Sequence, residues 1–400
     1  MDISELDRLT RWLMEGARSA PTPTTFLKEM CERLVAAGLP LYRVGAFVQT
    51  LHPDVFGRSF IWRAGAEEVV INTANFDLPD SPQFKNSPLA ILYASGHEVR
   101  YRLDDPESKR FPFFDDMRGE GVTDYIALPL LFTDGSIHAS SWSTRAEGGF
   151  TDEHLAALRS VIPPFSRLGE IHAMRRTAAA LLDTYVGNRA GERILAGQIR
   201  RGHAEDMQVA IWLSDLRGFT ALSDRLVPET VVDILNQYFD CQVPVIREHG
   251  GEILKFMGDG LLAVFPIAKD GSNLSEVCGR VLRASRKARA NVDAMHYPSG
   301  NAVERFRFGV ALHIGGILFG NIGGMSRLDF TCIGPAVNLA ARLEKIAARL
   351  GRTVVASAAF AGVCAEGWAD LGEFPIAGFS RAQRVFGLDD EGPIPEGQSD

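Results

Sequence analysis

Residues 252–265 read EILKFMGDGLLAVF: two apolar runs separated by a Gly258-Asp259-Gly260 turn. An Asp-Gly pair between two such runs is a strong signal for a hairpin, because its residues accept the left-handed backbone of a tight turn. The pattern therefore predicts two antiparallel strands with Asp259 at the tip of their turn. An isolated Asp-Gly turn usually has no further role, so the flanking sequence must decide whether Asp259 has one.

The sequence before this hairpin predicts a strand that ends beside a carboxylate. VAIWL, at 209–213, is a short apolar run typical of a buried strand, and Asp215 follows at its end. A carboxylate there can face a ligand, although it can equally cap the next helix. Phe219 and Thr220 begin that helix, and Gly218 lets backbone N–H groups approach an anion closely at its start.

Further helices and strands complete a recognisable order. One helix begins near Pro228, another covers 273–292, and a strand is predicted at 306–313. Together with the first strand and the hairpin, they predict an α+β fold with a ferredoxin-like βαββαβ arrangement. We expect the first strand and the hairpin to be central neighbours, so that Asp215 and Asp259 converge on one edge. Two such carboxylates suit Mg²⁺ or Mn²⁺.

Composition limits the partners that the chain can bind. With 400 residues and a net charge of −8, we expect two folded domains and no wide basic surface for nucleic acid. The five cysteines never occur in a C-x-x-C spacing, which favours a reducing cytoplasm over a disulfide framework or a zinc cluster. The N-terminus is unlike a signal peptide, and no apolar run approaches the roughly 20 residues of a membrane span.

Four ordered stretches resemble a known family, the class III nucleotidyl cyclases, whose catalytic domain makes cyclic AMP or cyclic GMP. They are VAIWLSDLRGFT at 209–220, HGGEILKFMGDGLLAVF at 249–265, ALHIGGILFGNIG at 311–323 and DFTCIGPAVNLAARLE at 329–344. Together they span most of 206–390, which makes a chance resemblance improbable.

The resemblance implies a role for each matching residue. Two Mg²⁺ or Mn²⁺ ions per site would be held by Asp215, Leu216 and Asp259, and the substrate would also contact Gly218, Phe219 and Thr220. Asn338 would orient the ribose. Arg342 would meet the charge that builds on the α-phosphate as the ribose 3′-hydroxyl attacks and pyrophosphate leaves.

The family's two purine-selecting positions fall on Lys255 and Thr331. Lysine can donate to N1 of adenine and the threonine hydroxyl can accept from the exocyclic amine, whereas guanine presents the reverse pair. The pairing resembles the adenylate cyclase subgroup that uses threonine instead of aspartate. An isolated strand lysine would by default extend to solvent, and Thr331 would suit an ordinary strand, so the motif series carries this interpretation.

Two positions depart from the family pattern. A lysine that often contacts the terminal phosphates is replaced here by Ala377, and Arg381 or Arg384 could substitute for it. A phosphate-binding arginine of some relatives has only Arg307 nearby, in an uncertain register. The phosphate contacts from both regions stay open.

In this family, the metal ligands and the purine and transition-state residues of one site come from opposite protomers. This chain has both sets, so the resemblance implies an ATP-binding, head-to-tail homodimer with two equivalent sites. The expected function is adenylate cyclase, regulated through the N-terminal half. Two alternatives stay open: a guanylate cyclase, and a catalytically silent nucleotide-binding or dimerisation module.

The N-terminal half resembles a GAF-type sensor domain, on more generic motifs, and its regulator is an unknown small molecule or protein. Phe47, Phe60, Trp62 and Trp142 could line a pocket there, although core packing is favoured. The expected layout is a helix at 1–24, the GAF-like domain at 25–170, a helical linker at 171–205, the catalytic domain at 206–390 and a flexible tail at 391–400.

Three local expectations can be compared directly with a structure. Thr24 or Thr25 is expected to cap a helix through Val35. Pro163 and Pro164 are expected to kink or interrupt the helix that follows Thr151. His313 is expected to pack or hydrogen-bond in the sheet rather than to bind a metal.

Overall fold

The computed structural model describes residues 1–299, 302–305, 307–324, 327–364 and 367–391. The chain divides into two compact units, Met1–Leu181 and Leu182–Asp400. This division lies within the predicted linker at 171–205. The predicted tail at 391–400 lies outside the described residues, except for Glu391.

The first unit contains an antiparallel sheet whose strand order is β3-β2-β1-β6-β5-β4. Its strands are β1 (Arg43–Gln49), β2 (Gly57–Arg63), β3 (Val70–Ala74), β4 (Val99–Arg102), β5 (Asp124–Leu131) and β6 (Ile137–Thr144). Its helices are α1 (Ile3–Met14), α2 (Pro23–Ala36), α3 (Pro82–Lys85), α4 (Pro88–Ser95), α5 (Phe113–Gly119) and α6 (Asp152–Val186), with 3₁₀ turns at Leu78–Asp80 and Pro106–Arg110. Helix α6 continues past the division into the second unit.

The two faces of this sheet have separate cores. One core contains Phe60, Trp62 and Trp142, which pack with residues of α1, α2 and α6. Phe47 belongs to the other face, where it packs against a cluster that includes residues of α4 and α5. Core packing therefore accounts for Trp62 and Trp142, whereas Phe47 and Phe60 also line cavities, and that of Phe60 is described below.

The expected cap of α2 is wrong. Thr22 caps α2, not Thr24 or Thr25: its hydroxyl accepts from the Thr25 N–H, and the Thr25 hydroxyl accepts from the Thr22 N–H. Pro23 explains the start, because proline has no N–H to lose at a first helical position and its φ angle already suits a helix.

The expectation for Pro163 and Pro164 is wrong as to an interruption, because α6 runs through both prolines without a break. Interior prolines cost a helix about 3 kcal/mol or more. Val161 and Phe165, on either side of them, are almost fully buried, and each such side chain contributes about 1.5–3 kcal/mol. Packing on the sheet therefore offsets the lost hydrogen bonds.

The second unit contains a sheet with the order β15-β16-β14-β12-β7-β9-β8, and β13 pairs with β12. Its strands are β7 (Ala204–Leu216), β8 (Glu252–Met257), β9 (Gly260–Ile267), β10 (His296–Ser299), β11 (Ala302–Arg305), β12 (Phe308–Gly323), β13 (Leu328–Ile333), β14 (Val354–Ser357), β15 (Trp368–Phe374) and β16 (Gln383–Leu388). Its helices are α7 (Asn188–Leu195), α8 (Phe219–Ser223), α9 (Pro228–Asp240), α10 (Val243–Glu248), α11 (Leu274–Asp293), α12 (Pro335–Arg349) and α13 (Ala358–Ala361), with a 3₁₀ turn at Asp389–Glu391.

The predicted order of elements is present in this unit: β7, helices α8 to α10, the β8–β9 hairpin, α11 and β12 follow one another. The fold is therefore a mixed α+β structure, with β7 between β9 and β12; the ferredoxin-like and GAF-like assignments stay predictions. The strand predicted at 306–313 extends to Gly323, because its second half pairs with both β7 and β13. Among the described helices, none combines the length and the apolar character needed to cross a membrane.

His313 is buried in β12, and its Nδ1 lies 2.8 Å from the Ser357 hydroxyl. It hydrogen-bonds in the sheet, as expected. Burial disfavours the charged imidazolium and lowers the pKa of His313 to about 4. Because an unfolded histidine titrates near 6.5, the unfolded state binds the extra proton as the pH falls from about 6.5 towards 4.

We therefore expect His313 to make the second unit acid-sensitive. Between pH 7.5 and 5, it should lower the free energy of unfolding by about 2 kcal/mol. H313N cannot take up this proton, so its loss of stability over this range should be smaller by that amount. Differential scanning calorimetry of both proteins measures the difference. Parallel losses in the two proteins would contradict the prediction.

Candidate active site

Asp215 lies at the C-terminal end of β7, where the sheet pairs it with two glycines. Its register partners are Gly260 on β9 and Gly309 on β12. A Cβ at Gly260 would lie 3.3 Å from the Asp215 Oδ1, closer than most side-chain contacts. Glycine on the neighbouring strand therefore leaves room for the carboxylate at this edge.

Asp259 occupies the turn between β8 and β9, as the Gly-Asp-Gly pattern predicts. Gly258 precedes it with a φ of +67°, a conformation that glycine adopts without strain. Because β9 pairs directly with β7, the turn brings Asp259 close enough to Asp215 for its charge to raise the pKa of that carboxyl group. The structure therefore brings the two predicted metal ligands together.

The electrostatics of this pair favour a cation. Burial and the charge of Asp259 are the main causes that raise the pKa of Asp215 to about 6, and the charge of Glu344 adds to them. Adjacent carboxylates disfavour one another's ionisation, and a bound divalent cation would remove that repulsion. The donor set thus fits Mg²⁺ or Mn²⁺, which bind through a few carboxylates together with substrate and water oxygens.

Among the described residues, no cluster of three or more His, Cys, Asp or Glu side chains forms a complete metal cage. Leu216, the third predicted ligand, is buried next to Asp215, so only its backbone carbonyl could contribute. Gly218 adopts a φ of +71° immediately before α8, which Phe219 and Thr220 begin. These residues therefore lie on the loop and helix that follow Asp215 directly.

Glu344 and Arg217 also lie in this region. The sequence analysis did not identify either residue as part of the site. Glu344 is buried on α12, and its Oε1 lies 3.6 Å from the Arg217 guanidinium. Arg217 also donates to the Arg352 carbonyl at 3.1 Å. A Cβ at Gly309 would collide with both Arg217 and Glu344. The sequence does contain one signal for Glu344, because this acidic residue lies within the apolar stripe of a helix.

Lys255 lies on β8 just after an irregularity in its pairing with β9, between Ile253 and Lys255. Such an irregularity changes the direction of the side chains that follow it. The Lys255 ammonium forms an ion pair with Asp329 on β13. Asp329 and Thr331 are two residues apart on one strand, so they lie on the same face. The sequence analysis did not identify Asp329 as part of the site either.

Asn338 and Arg342 are exposed on α12 and line an open cavity of about 660 Å³. Lys345 lies one turn further along the same helical face and lines the same cavity. Ala377, which replaces the family's lysine, also lines it. Arg384 is occupied elsewhere, since its Nε donates to Asp370 at 2.9 Å.

The two halves of the predicted site lie on different sides of α12. Arg342 and Glu344 are two residues apart, which corresponds to about 200° around a helix. Glu344 faces Arg217 and influences Asp215, whereas Arg342 faces the open cavity. In one chain, Asn338 and Arg342 therefore face a cavity for which neither Asp215 nor Asp259 is among the described lining residues.

Comparisons with known proteins place this region in a family. The family described as adenylate and guanylate cyclase catalytic domain has a model that matches residues 203–362. The matched segment contains both aspartates, Lys255, Thr331, Asn338 and Arg342.

Two relatives and one solved structure illustrate the similarity. The adenylate cyclase of Anabaena cylindrica is 30% identical over 157 residues, which are 39% of this chain and 31% of that protein. Adenylate cyclase 1 of Rhizobium meliloti (strain 1021) is 33% identical over 178 residues, or 44% of this chain and 26% of that protein. A bacterial light-regulated adenylyl cyclase structure is 26% identical, with a TM-score of 0.40, and the alignment covers 46% of this chain and 92% of that chain.

The chain spans less than a third of the length of these two relatives. The similarity thus concerns the catalytic segment. Residues 203–362 of this chain match the adenylate and guanylate cyclase catalytic domain family.

Proposed function

We propose that the chain is an adenylate cyclase, which converts ATP to 3′,5′-cyclic AMP and pyrophosphate. The observation that carries the proposal is the Asp215–Asp259 carboxyl pair, at the edge where β7 meets the hairpin of a cyclase-family domain. In the reaction, the ribose 3′-hydroxyl oxygen bonds to the α-phosphorus and its proton leaves to water. The bond from the α-phosphorus to the pyrophosphate oxygen breaks.

Asp215, Asp259 and the Leu216 carbonyl would hold two Mg²⁺ or Mn²⁺ ions. When bound, these ions neutralise phosphate charge and lower the pKa of the attacking hydroxyl. Gly218, Phe219 and Thr220 bring backbone N–H groups to the phosphates at the start of α8. The raised pKa of Asp215 reflects its burial and the charge of Asp259, and cation binding would relieve the repulsion between the two carboxylates.

Asn338 and Arg342 act on the other side of the substrate. Asn338 hydrogen-bonds and orients the ribose, so that its 3′-hydroxyl is in line with the leaving pyrophosphate. Arg342 presents a guanidinium to the α-phosphate oxygens, where charge increases during the attack. Both side chains are exposed on α12, which suits residues that meet a ligand from outside their own chain.

Selection of adenine rests on Lys255 and Thr331, and Asp329 strengthens it. The carboxylate of Asp329 is only an acceptor when ionised, and it contacts Lys255. It favours a base that brings an amine donor to this position, as adenine does, and disfavours the O6 acceptor of guanine. We therefore place ATP before GTP as the substrate.

The separation of the two residue sets around α12 supports a composite site. If Asp215 and Asp259 of one protomer meet Lys255, Asn338 and Arg342 of the other, a head-to-tail homodimer contains two complete sites. In this proposal, the first unit is a GAF-like sensor that regulates the cyclase in response to an unidentified ligand or protein, and the protein works in the cytoplasm.

Lys345 would supply the phosphate contact that Ala377 cannot. It shares a cavity with Arg342, and it forms no hydrogen bond or ion pair with any residue in the described ranges. No Asp or Glu is among the described residues that line this cavity. An exposed ammonium one turn beyond Arg342 suits the pyrophosphate end of the substrate, because that end carries most of the charge.

The activity itself is tested with purified full-length protein, ATP or GTP, and Mg²⁺ or Mn²⁺. We expect cyclic AMP to form, with kcat/KM for ATP at least about tenfold above that for GTP, since the mismatched base leaves polar groups unpaired. A chelator or R342A should abolish product. Preferential formation of cyclic GMP would identify a guanylate cyclase, and absence of both products would favour a silent binding module.

The composite site is tested by mixing two inactive proteins, D215A and R342A. A mixed dimer contains one intact site, so random exchange should restore about a quarter of wild-type activity. The matched control mixes D215A with D259A, which damages the metal side of both sites and should stay inactive. If neither mixture forms cyclic AMP, the result would contradict the dimer model.

The role of Lys345 is tested with K345A and the restoring change A377K. Loss of one charge-assisted contact should reduce kcat/KM for ATP about tenfold or more, mainly through KM, and weaken inhibition by pyrophosphate. K345R should retain activity, and A377K in the K345A background should recover part of it from the opposite wall. K269A, a change at another exposed lysine, is the control. Unchanged KM and pyrophosphate inhibition in K345A would exclude the contact.

A further inference from the structure

A small apolar cavity lies in the first unit, between α2 and α6 on one side and the sheet on the other. Its volume is about 50 Å³, and Phe26, Phe60, Leu130 and Phe165 contribute to its walls. These side chains come from both helices and from β2 and β5, so the cavity is part of the folded core rather than a surface depression. It has no role in the proposed catalytic function.

Two arginines, Arg58 on β2 and Arg176 on α6, line the same cavity. They also line a smaller cavity beside it, which places them together at one end. Each is half-buried, and neither side chain forms a hydrogen bond or an ion pair with any residue in the described ranges. By contrast, Arg100 and Arg159 of the same unit are paired with Asp124 and Glu98.

The two guanidinium groups repel each other without a compensating charge. Burial and the neighbouring charge of Arg58 lower the pKa of Arg176. No Asp or Glu is among the described residues that line the cavity. An anion between the two groups would relieve the repulsion, and a carboxylate matches the planar donor geometry of guanidinium best among common organic anions.

The apolar walls define the rest of the ligand. A cavity of about 150 Å³ accepts a benzene ring, whereas this one is about 50 Å³. The apolar part of a ligand must therefore be a short, unbranched chain. We propose that the cavity is a binding site for a short-chain aliphatic monocarboxylate, with the carboxylate between Arg58 and Arg176 and the hydrocarbon chain among Phe26, Phe60 and Phe165.

The proposal predicts a specific dependence on chain length. In calorimetric titrations of the full-length protein with the straight-chain acids from acetate to octanoate, affinity should rise about fourfold per methylene group. The rise should stop once the cavity is full. Butanol, which has only the chain, and inorganic phosphate, which has only the charge, should bind at least tenfold more weakly than valerate. Affinity that is independent of chain length would overturn the proposal.

Variants test separately the sites for the carboxylate and for the hydrocarbon chain of the ligand. R58Q and R176Q should each weaken valerate binding at least tenfold. R175Q is the matched control, because Arg175 is the adjacent exposed residue, does not line the cavity, and should leave binding unchanged. A173L fills the cavity without changing charge and should remove the gain from longer chains. Wild-type affinity in both R58Q and R176Q, or equal losses in R175Q, would contradict the site.

Discussion

The catalytic unit depends on one antiparallel pairing, that of β7 with β9. This pairing sets the end of a buried strand beside the tip of a hairpin, and it forces two carboxyl groups together in a partly buried position. Such an arrangement is unfavourable for an isolated protein, because it disfavours ionisation of Asp215. It persists because the strands on both sides are anchored by the core, in which Trp212 and Phe265 are fully buried. The sheet thus maintains a repulsive contact between two carboxyl groups, which the divalent cations of the proposed function would offset.

Helix α12 places its polar and charged side chains in two different environments. One side places Glu344 against Arg217, behind the carboxyl pair, while another presents Asn338, Arg342 and Lys345 to an open cavity. The two sides of this 15-residue helix therefore face different surroundings. This separation is the reason why the proposed function takes the two sets of residues from two copies of the chain.

Local patterns in the sequence predicted the hairpin, the strand ending at Asp215 and the helix that begins at Pro228. They did so because a turn, an apolar run and a helical repeat are all defined by neighbouring residues. The contacts of Asp329 with Lys255 and of Glu344 with Arg217 join residues far apart in sequence, so no local pattern could reveal them. The cap at Thr22 was predictable from Pro23, whereas the continuous helix through Pro163 and Pro164 depends on packing against a sheet formed elsewhere.

The ion pair between Lys255 and Asp329 has a consequence for how a base would be admitted. The carboxylate acts as an internal competitor, since it already occupies donors of the ammonium. Both side chains are about half exposed, and exposed pairs contribute only about 0–1 kcal/mol, so an incoming ring could displace the carboxylate at little cost. Until then, the ion pair narrows the range of rotamers that the lysine samples. Part of the entropy of ordering a long side chain is therefore lost when the protein folds, before any nucleotide arrives.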